Sequence, residues 1–311
     1  MAGEKSKTSG EIGERLAEGV LRILGWRDKL SNVHIPCNTS SHLNSDGKPR
    51  QSHGEDIVFL YHNPFHDDRT DLVHISVKNK INSYPGEQAL RTQFKNHLEE
   101  LHQTIACARH DSQVHDLAKA FGAQKNKVHS GMLIWLHNDD QDIEHDIKPA
   151  LAKTRLAQTN DVPVYVIDNA RAAFLLNIVD HANREFAEWQ FYYPHIGTAL
   201  KADMSRTGDT LPLELVVADI VPLLITVSGS NELALYANEP FTTDTYKKLV
   251  AYGLHFAGGL VGKIHIGLPD YNAAKDQTEA TKARLAFADR KEDVQPFSFR
   301  RSILDFLQEK I

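Results

Sequence analysis

The chain has 311 residues, 41% hydrophobic and 24% charged, which suits about two domains and gives no compositional basis for disorder. Lys and Arg number 35 and Asp and Glu 41, so the formal net charge of −6 argues against coating nucleic acid by bulk charge but permits a local basic site. No apolar run reaches the about 20 residues of a membrane span, and residues 1–10 lack the apolar core of a signal peptide, so a soluble cytoplasmic protein is expected.

Ile12, Leu16, Val20, Ile23 and Leu24 recur at helical spacing and predict a first helix over residues 10–25, with Gly25 as its stop. Residues 32–54 read as loop, because Pro36, an Asn-Thr-Ser-Ser cluster, Asp46-Gly47 and Pro49 crowd into them. Two apolar runs, 56–61 and 71–78, flank a polar turn and predict an antiparallel hairpin. A long helix is expected over 87–109, then a buried strand at 131–136, a helix near 146–158, a strand at 163–167 and a helix over 170–182. That order predicts a mixed sheet flanked by helices. Beyond Pro194 the pattern changes, and a boundary near 195–210 divides a first domain, 1–195, from an α+β domain, 196–311. Strand-like runs at 213–218, 222–228, 232–236 and 263–266 alternate there with helices expected at 244–255, 277–288 and 301–309.

Thirteen of the 17 histidines precede residue 150, but they lack the paired spacing of a zinc site; the nearest approach, His62 and His66, sits in a turn. Cys37 and Cys107 are too few for a disulfide framework or a four-cysteine zinc site, and no third partner marks a thiol–histidine pair.

The hairpin carries more chemistry. Asp56 opens its first strand, and a period of two places Ser76 and Lys78 on one face of the second. A carboxylate beside a lysine at a strand end is the minimum for metal-assisted phosphodiester hydrolysis, in which a bound cation polarises phosphate and activates water. Glu11, Glu14 and Glu18 stack on one face of the first helix, where like charges repel mildly unless a cation is near.

These residues resemble the Mrr-type and Holliday-resolvase-like branch of the PD-(D/E)XK nuclease superfamily. In that branch a helix carries a Glu and ends, about eleven residues on, in Gly plus an aromatic; Glu14 and Gly25-Trp26 fit. Gly54-Glu55-Asp56 before one strand and Val73-His74-Ile75-Ser76-Val77-Lys78 in the next match the motifs that follow. The resemblance implies a restriction-endonuclease-like fold over roughly residues 10–170 and a Mg2+-dependent deoxyribonuclease, with Mn2+ an alternative cation. It implies Asp56 and Glu14 as metal ligands with the Val77 carbonyl, Lys78 to position the attacking water, and Ser76 to hold a metal water or the scissile phosphate. Ser76 replaces the usual Glu or Gln, so the second carboxylate comes from a helix, with Glu14 the first candidate and Glu87 the second. Glu55 and Lys80 are rivals to Asp56 and Lys78. Glu55 is expected on the opposite strand face, and Lys80 lies beyond the apolar run. Double-stranded DNA is the implied substrate, in bacterial defence against phage, by a homodimer or a hetero-oligomer with a partner subunit. The alternative is an inactive nuclease-fold subunit for DNA binding or assembly.

Overall fold

A computed structural model describes residues 2–27, 29–44, 46–139, 142–156, 162–196 and 206–300. The chain divides into two compact units, 1–173 and 174–311. The first contains α1 (Ala2–Ile23), β1 (Lys29–Pro36), β2 (Ser52–His62), β3 (Arg69–Lys80), α2 (Glu87–Ala108), α3 (Ser112–Phe121), β4 (Asn126–His137), α4 (Lys148–Leu151) and β5 (Val164–Ile167). Its sheet runs β1-β2-β3-β4-β5. The β1–β2 and β2–β3 pairs are antiparallel, and β3–β4 and β4–β5 are parallel. A parallel neighbour needs a long crossover, and α2 and α3 supply it between β3 and β4.

Gly25 ends α1 with φ 75°, a backbone conformation that costs glycine nothing. The chain thereby turns Trp26 inward, where its ring stacks on Phe59 of β2 at 4.5 Å. In α2, Leu90, Phe94 and Leu98 recur every fourth residue and bury against Leu133 and Trp135 of β4. This is the mixed sheet flanked by helices that the resemblance implies.

Several elements differ from the sequence reading. β1 runs into the stretch read as loop; only Val33 and Ile35 are buried in it, too short an alternation to stand out. The helix expected near 146–158 is the single turn α4 among its described residues. α3 was not anticipated, although Asp111 caps its first turn and Gly122 ends it in the left-handed conformation.

The second unit takes in most of α5 (Asn169–Glu185), then β6 (Glu188–Tyr192), β7 (Thr207–Gly208), α6 (Leu213–Val216), β8 (Ile220–Val227), β9 (Ser230–Ala237), α7 (Thr243–Ala257), β10 (Lys263–Leu268), α8 (Ala273–Leu285) and β11 (Asp293–Ser298). Its mixed sheet has the order β11-β10-β9-β8-β6-β7. β6, ahead of the boundary expected near 195, pairs with β8 in this sheet. Leu233, Leu235, Ile264 and Ile266 form its core with Leu249, Val250 and Leu254 of α7. The run at 213–218 forms the turn α6 rather than a strand, entered from Pro212, and β11 adds an unanticipated parallel edge to β10. The helix expected over 301–309 lies outside the described residues.

Candidate active site

The site begins where two strands part. The β2–β3 ladder ends at Ile57↔Ile75, while β3 continues beside β4 from Ser76↔Leu133 to Lys80↔His137. The edge of β3 that faced β2 is therefore open beyond Ile75. Asp56 fills the opening with its side chain, and its Oδ2 accepts the Val77 amide at 2.6 Å. A carboxylate thus takes the place of a ladder carbonyl in a charge-assisted bond.

Ser76 and Lys78 share one face of β3, and Lys78 identifies which side it is. Its Nζ lies 3.2 Å from Glu100 Oε2 of α2. Arg50, from the segment before β2, approaches the other oxygen of Glu100, Nη1 to Oε1, at 3.7 Å. Burial alone would raise the Glu100 pKa, but Lys78 and Arg50 outweigh it and hold the carboxyl below its ordinary value. One turn earlier in α2, burial first and the Lys78 charge second push His97 down to about 4. His97 sets its ring edge-on to Trp135 at 5.1 Å. A cleft of about 460 Å³ opens beside Glu100, lined by Arg50, Asn44, Asn96, Glu99 and Gln103.

The other expected residues lie elsewhere around the fork. Glu14 is exposed on α1. That helix touches β3 through Gly13, where a Cβ would stand 2.5 Å from the Asn79 Cβ. Asn79 alternates with Lys78, so α1 covers the opposite side of the strand. Glu87 is exposed at the start of α2 and pairs with Arg91 at 2.7 Å and Lys153 at 3.3 Å. Glu55 is buried in a hydrogen bond with His74, whose other ring nitrogen meets His129 Nδ1 at 2.8 Å. His74 shares the face of Ser76 and Lys78, so Glu55 does not point to the opposite side as simple alternation predicts. Opposite Asp56 in β1, Asn32 has φ 56° and is left out of the β1–β2 pairing between Ser31↔Ile57 and Val33↔Glu55. Lys80 sits half-buried at the end of β3, beside His137.

Glu100, Arg50 and His97 were not legible as site residues in the sequence. The apolar stripe of α2 shows which side of the helix is buried, and Glu100 flanks it beside Leu101. Which of its flanking carboxylates meets β3 depends on how the helix is rotated on the sheet. A second cleft, of about 420 Å³, is lined by Arg91, Lys95, Lys153 and Arg155 with Gln88 and Thr92. It is a local basic surface on an acidic chain.

Among the described residues, no helix is long and apolar enough to cross a membrane. No curated protein and no solved structure matched the chain. A family model described as the GAPS4 protein PD-(D/E)XK nuclease domain matches residues 1–171, a span that holds the whole first sheet with Asp56, Lys78 and Glu100. With more than half of its length matched, and with an acidic residue and a lysine brought to the fork of a mixed sheet, the chain belongs to this anti-phage family of PD-(D/E)XK nuclease domains.

Proposed function

We propose that this chain is a Mg2+-dependent DNA endonuclease acting in defence against phage or other foreign DNA. The observation that carries the reading is the fork: Asp56 is tied to the Val77 amide at 2.6 Å, next in sequence to Lys78, which meets Glu100 at 3.2 Å. The donors this reading assigns to the cation are oxygens, namely the carboxylates of Asp56 and Glu100, the Ser76 hydroxyl and the Val77 carbonyl. That set suits a hard cation, Mg2+ or Mn2+. When bound, the cation polarises a phosphate oxygen and lowers the pKa of water.

In this reading Asp56 Oδ1 is offered to the cation while Oδ2 stays on Val77. Glu100 is the second carboxylate, supplying the charge that Ser76 cannot. It is preferred to Glu14 because it reaches Lys78 directly, whereas α1 packs on the Asn79 side. The Lys78 ammonium orients water toward phosphorus and stabilises the charge that develops on phosphate oxygens. Ser76 donates a hydrogen bond to the scissile phosphate. The basic cleft of Arg91, Lys95, Lys153 and Arg155 holds the DNA backbone, and this contact weakens as salt rises. One such site cuts one strand, so duplex cleavage requires a homodimer or a partner subunit that pairs two sites. The second unit, 174–311, is assigned that organising role.

The test is incubation of the full chain with plasmid or phage DNA and Mg2+ or Mn2+, with EDTA as control. Cleavage that EDTA abolishes and Asp56→Asn removes supports the reading. DNA binding without cleavage, alone or with a partner chain, supports instead an inactive subunit, a reading that Ser76 favours. Light scattering on the cutting species reports the pairing of sites.

A further inference from the structure

We propose that the first domain holds a structural zinc ion, bound by Cys37, His42, His53 and Cys107 and separate from the oxygen-lined fork. The four side chains come from three places: the loop after β1, the start of β2, and the last turn of α2. One ligand atom from each lies within 4.8 Å of all the others.

The distances match a tetrahedron of two sulfurs and two nitrogens. With Zn–S of about 2.3 Å and Zn–N of about 2.0–2.1 Å, tetrahedral ligands stand about 3.8 Å apart for two sulfurs. The same bond lengths give about 3.6 Å for sulfur and nitrogen and about 3.3 Å for two nitrogens. Here Cys37 Sγ and Cys107 Sγ are 4.0 Å apart. His42 Nδ1 lies 3.5 Å from each sulfur and 3.4 Å from His53 Nε2. The thiols also reach oxygens, Cys107 Sγ the Asn38 Oδ1 at 3.2 Å and Cys37 Sγ the Thr39 carbonyl at 3.4 Å, but hydrogen bonding does not account for the convergence on His42 Nδ1. A ring nitrogen carries one proton or one lone pair in the ring plane, and His42 Nδ1 has three partners at nearly equal range. A central cation gives all four atoms a common partner.

The donor set selects the ion. Two thiols and two imidazoles are soft to intermediate ligands that favour zinc over Mg2+. Four protein ligands close the coordination shell, which marks a structural rather than a catalytic site. Cys37 and His42 are a short ligand pair, but Cys107 lies seventy residues beyond Cys37 and His53 in a strand, so no matching second pair appears in the sequence.

Its place in the fold gives the site a purpose. His53 precedes Asp56 on β2, and Cys107 follows Glu100 by seven residues, about two turns of one helix face. The ion would tie the loop that carries Arg50, the strand that carries Asp56 and the helix that carries Glu100. The proposal does not rest on the chain being an active nuclease, and its test does not read cleavage.

The full chain is purified without chelator and its metal content measured by mass spectrometry, with thiols counted after denaturation. One zinc per chain with two free thiols, Cys37 and Cys107, is expected. Replacement of zinc by Co2+ should give the sulfur-to-metal charge-transfer band of a thiolate site. Cys107→Ser and His53→Ala should lose most of the zinc, while His66→Ala, outside the cluster, should keep it. A wild-type chain with both thiols intact that neither carries zinc nor gives a cobalt–thiolate band overturns the proposal. So does a Cys37–Cys107 disulfide in the native chain, or full zinc retention by Cys107→Ser. Since wild-type metal content and the cobalt band decide the question, it stands or falls even if a variant does not fold.

Discussion

Lys78 Nζ and Glu100 Oε2 stand 3.2 Å apart, joining a strand residue and a helix residue of opposite charge across the open edge of β3. Both side chains keep partial solvent access, 29% for Lys78 and 43% for Glu100, so the pair adds little to stability. Lys78→Ala should therefore melt close to wild type. If the ammonium orients water, cleavage should fall about 100-fold or more while Mg2+ affinity, read by calorimetry, changes little. A Lys78→Ala chain as active as wild type would contradict the role given to this strand.

Glu100→Gln and Glu14→Gln compared side by side decide which helix supplies the second carboxylate. Glu100→Gln should weaken Mg2+ binding and cleavage by more than tenfold, since a neutral amide is a poor ligand for a hard cation. Glu14→Gln should leave both within about twofold, because Glu14 is exposed on the helix that packs against Asn79. Titration of Mg2+ into each variant, followed by single-turnover cleavage, gives the answer. The reverse ranking would return the metal to α1.

Asp56 has two duties, and two substitutions separate them. Asp56→Asn keeps a carbonyl oxygen for the Val77 amide but removes the charge, so it should stay folded and lose cleavage. Asp56→Ala also removes the acceptor and should cost about 1 kcal/mol of stability in addition. Urea melts and cleavage assays on the pair check both statements. Equal stability of the two variants would mean that the Val77 bond contributes nothing.

Glycines on α1 give an opposite-signed pair. At Gly13 a methyl group meets Asn79 of β3 at 2.5 Å, whereas at Gly19 nothing lies within 4 Å. Gly13→Ala should destabilise by about 1–3 kcal/mol through overpacking, despite the better helix propensity of alanine. Gly19→Ala should gain about 0.5–1 kcal/mol. Thermal melting of the two variants tests the close approach of α1 to the sheet.

Acid should loosen the first domain before its carboxylates titrate. Burial, ahead of Lys78, lowers His97 to about 4, and burial, ahead of His74, lowers His129 to about 3. Unfolded histidines bind protons near pH 6.5, so above that value both states are neutral and nothing is lost. As the pH falls from about 6.5 toward 4, the unfolded chain binds protons that folded His97 refuses, and stability drops; His129 extends the loss toward 3. Melting temperatures at pH 7 and pH 5 should differ by less in His97→Gln than in wild type.

The order of elements in the first domain was largely legible, because the amphipathic spacing of α1 and α2 and the hairpin alternation are long enough to read. The apolar stripe at Leu90, Phe94 and Leu98 identifies α2, and the antiparallel pairing of β2 with β3 follows from the two apolar runs, though not its register. β1 was not legible, since two buried residues make no pattern. Nor was the true direction of Glu55, because its hydrogen bond with His74 departs from the strict alternation that a strand pattern assumes. Arg50, His97 and Glu100 form one charge cluster only after helix rotation and loop path are set. The gathering of His53 and Cys107 around the neighbouring Cys37 and His42 likewise depends on tertiary closure.

The bond from the Asp56 carboxylate to the Val77 amide also turns one backbone proton into a reporter. Most amides at a strand opening exchange readily with solvent, but this one is held by a side chain at 2.6 Å. Val77 should thus exchange slowly although it lies beyond the β2–β3 ladder, and its protection should vanish in Asp56→Ala and persist in Asp56→Asn. Its nitrogen and proton chemical shifts should move when Mg2+ arrives, giving a readout of site occupancy that needs no DNA.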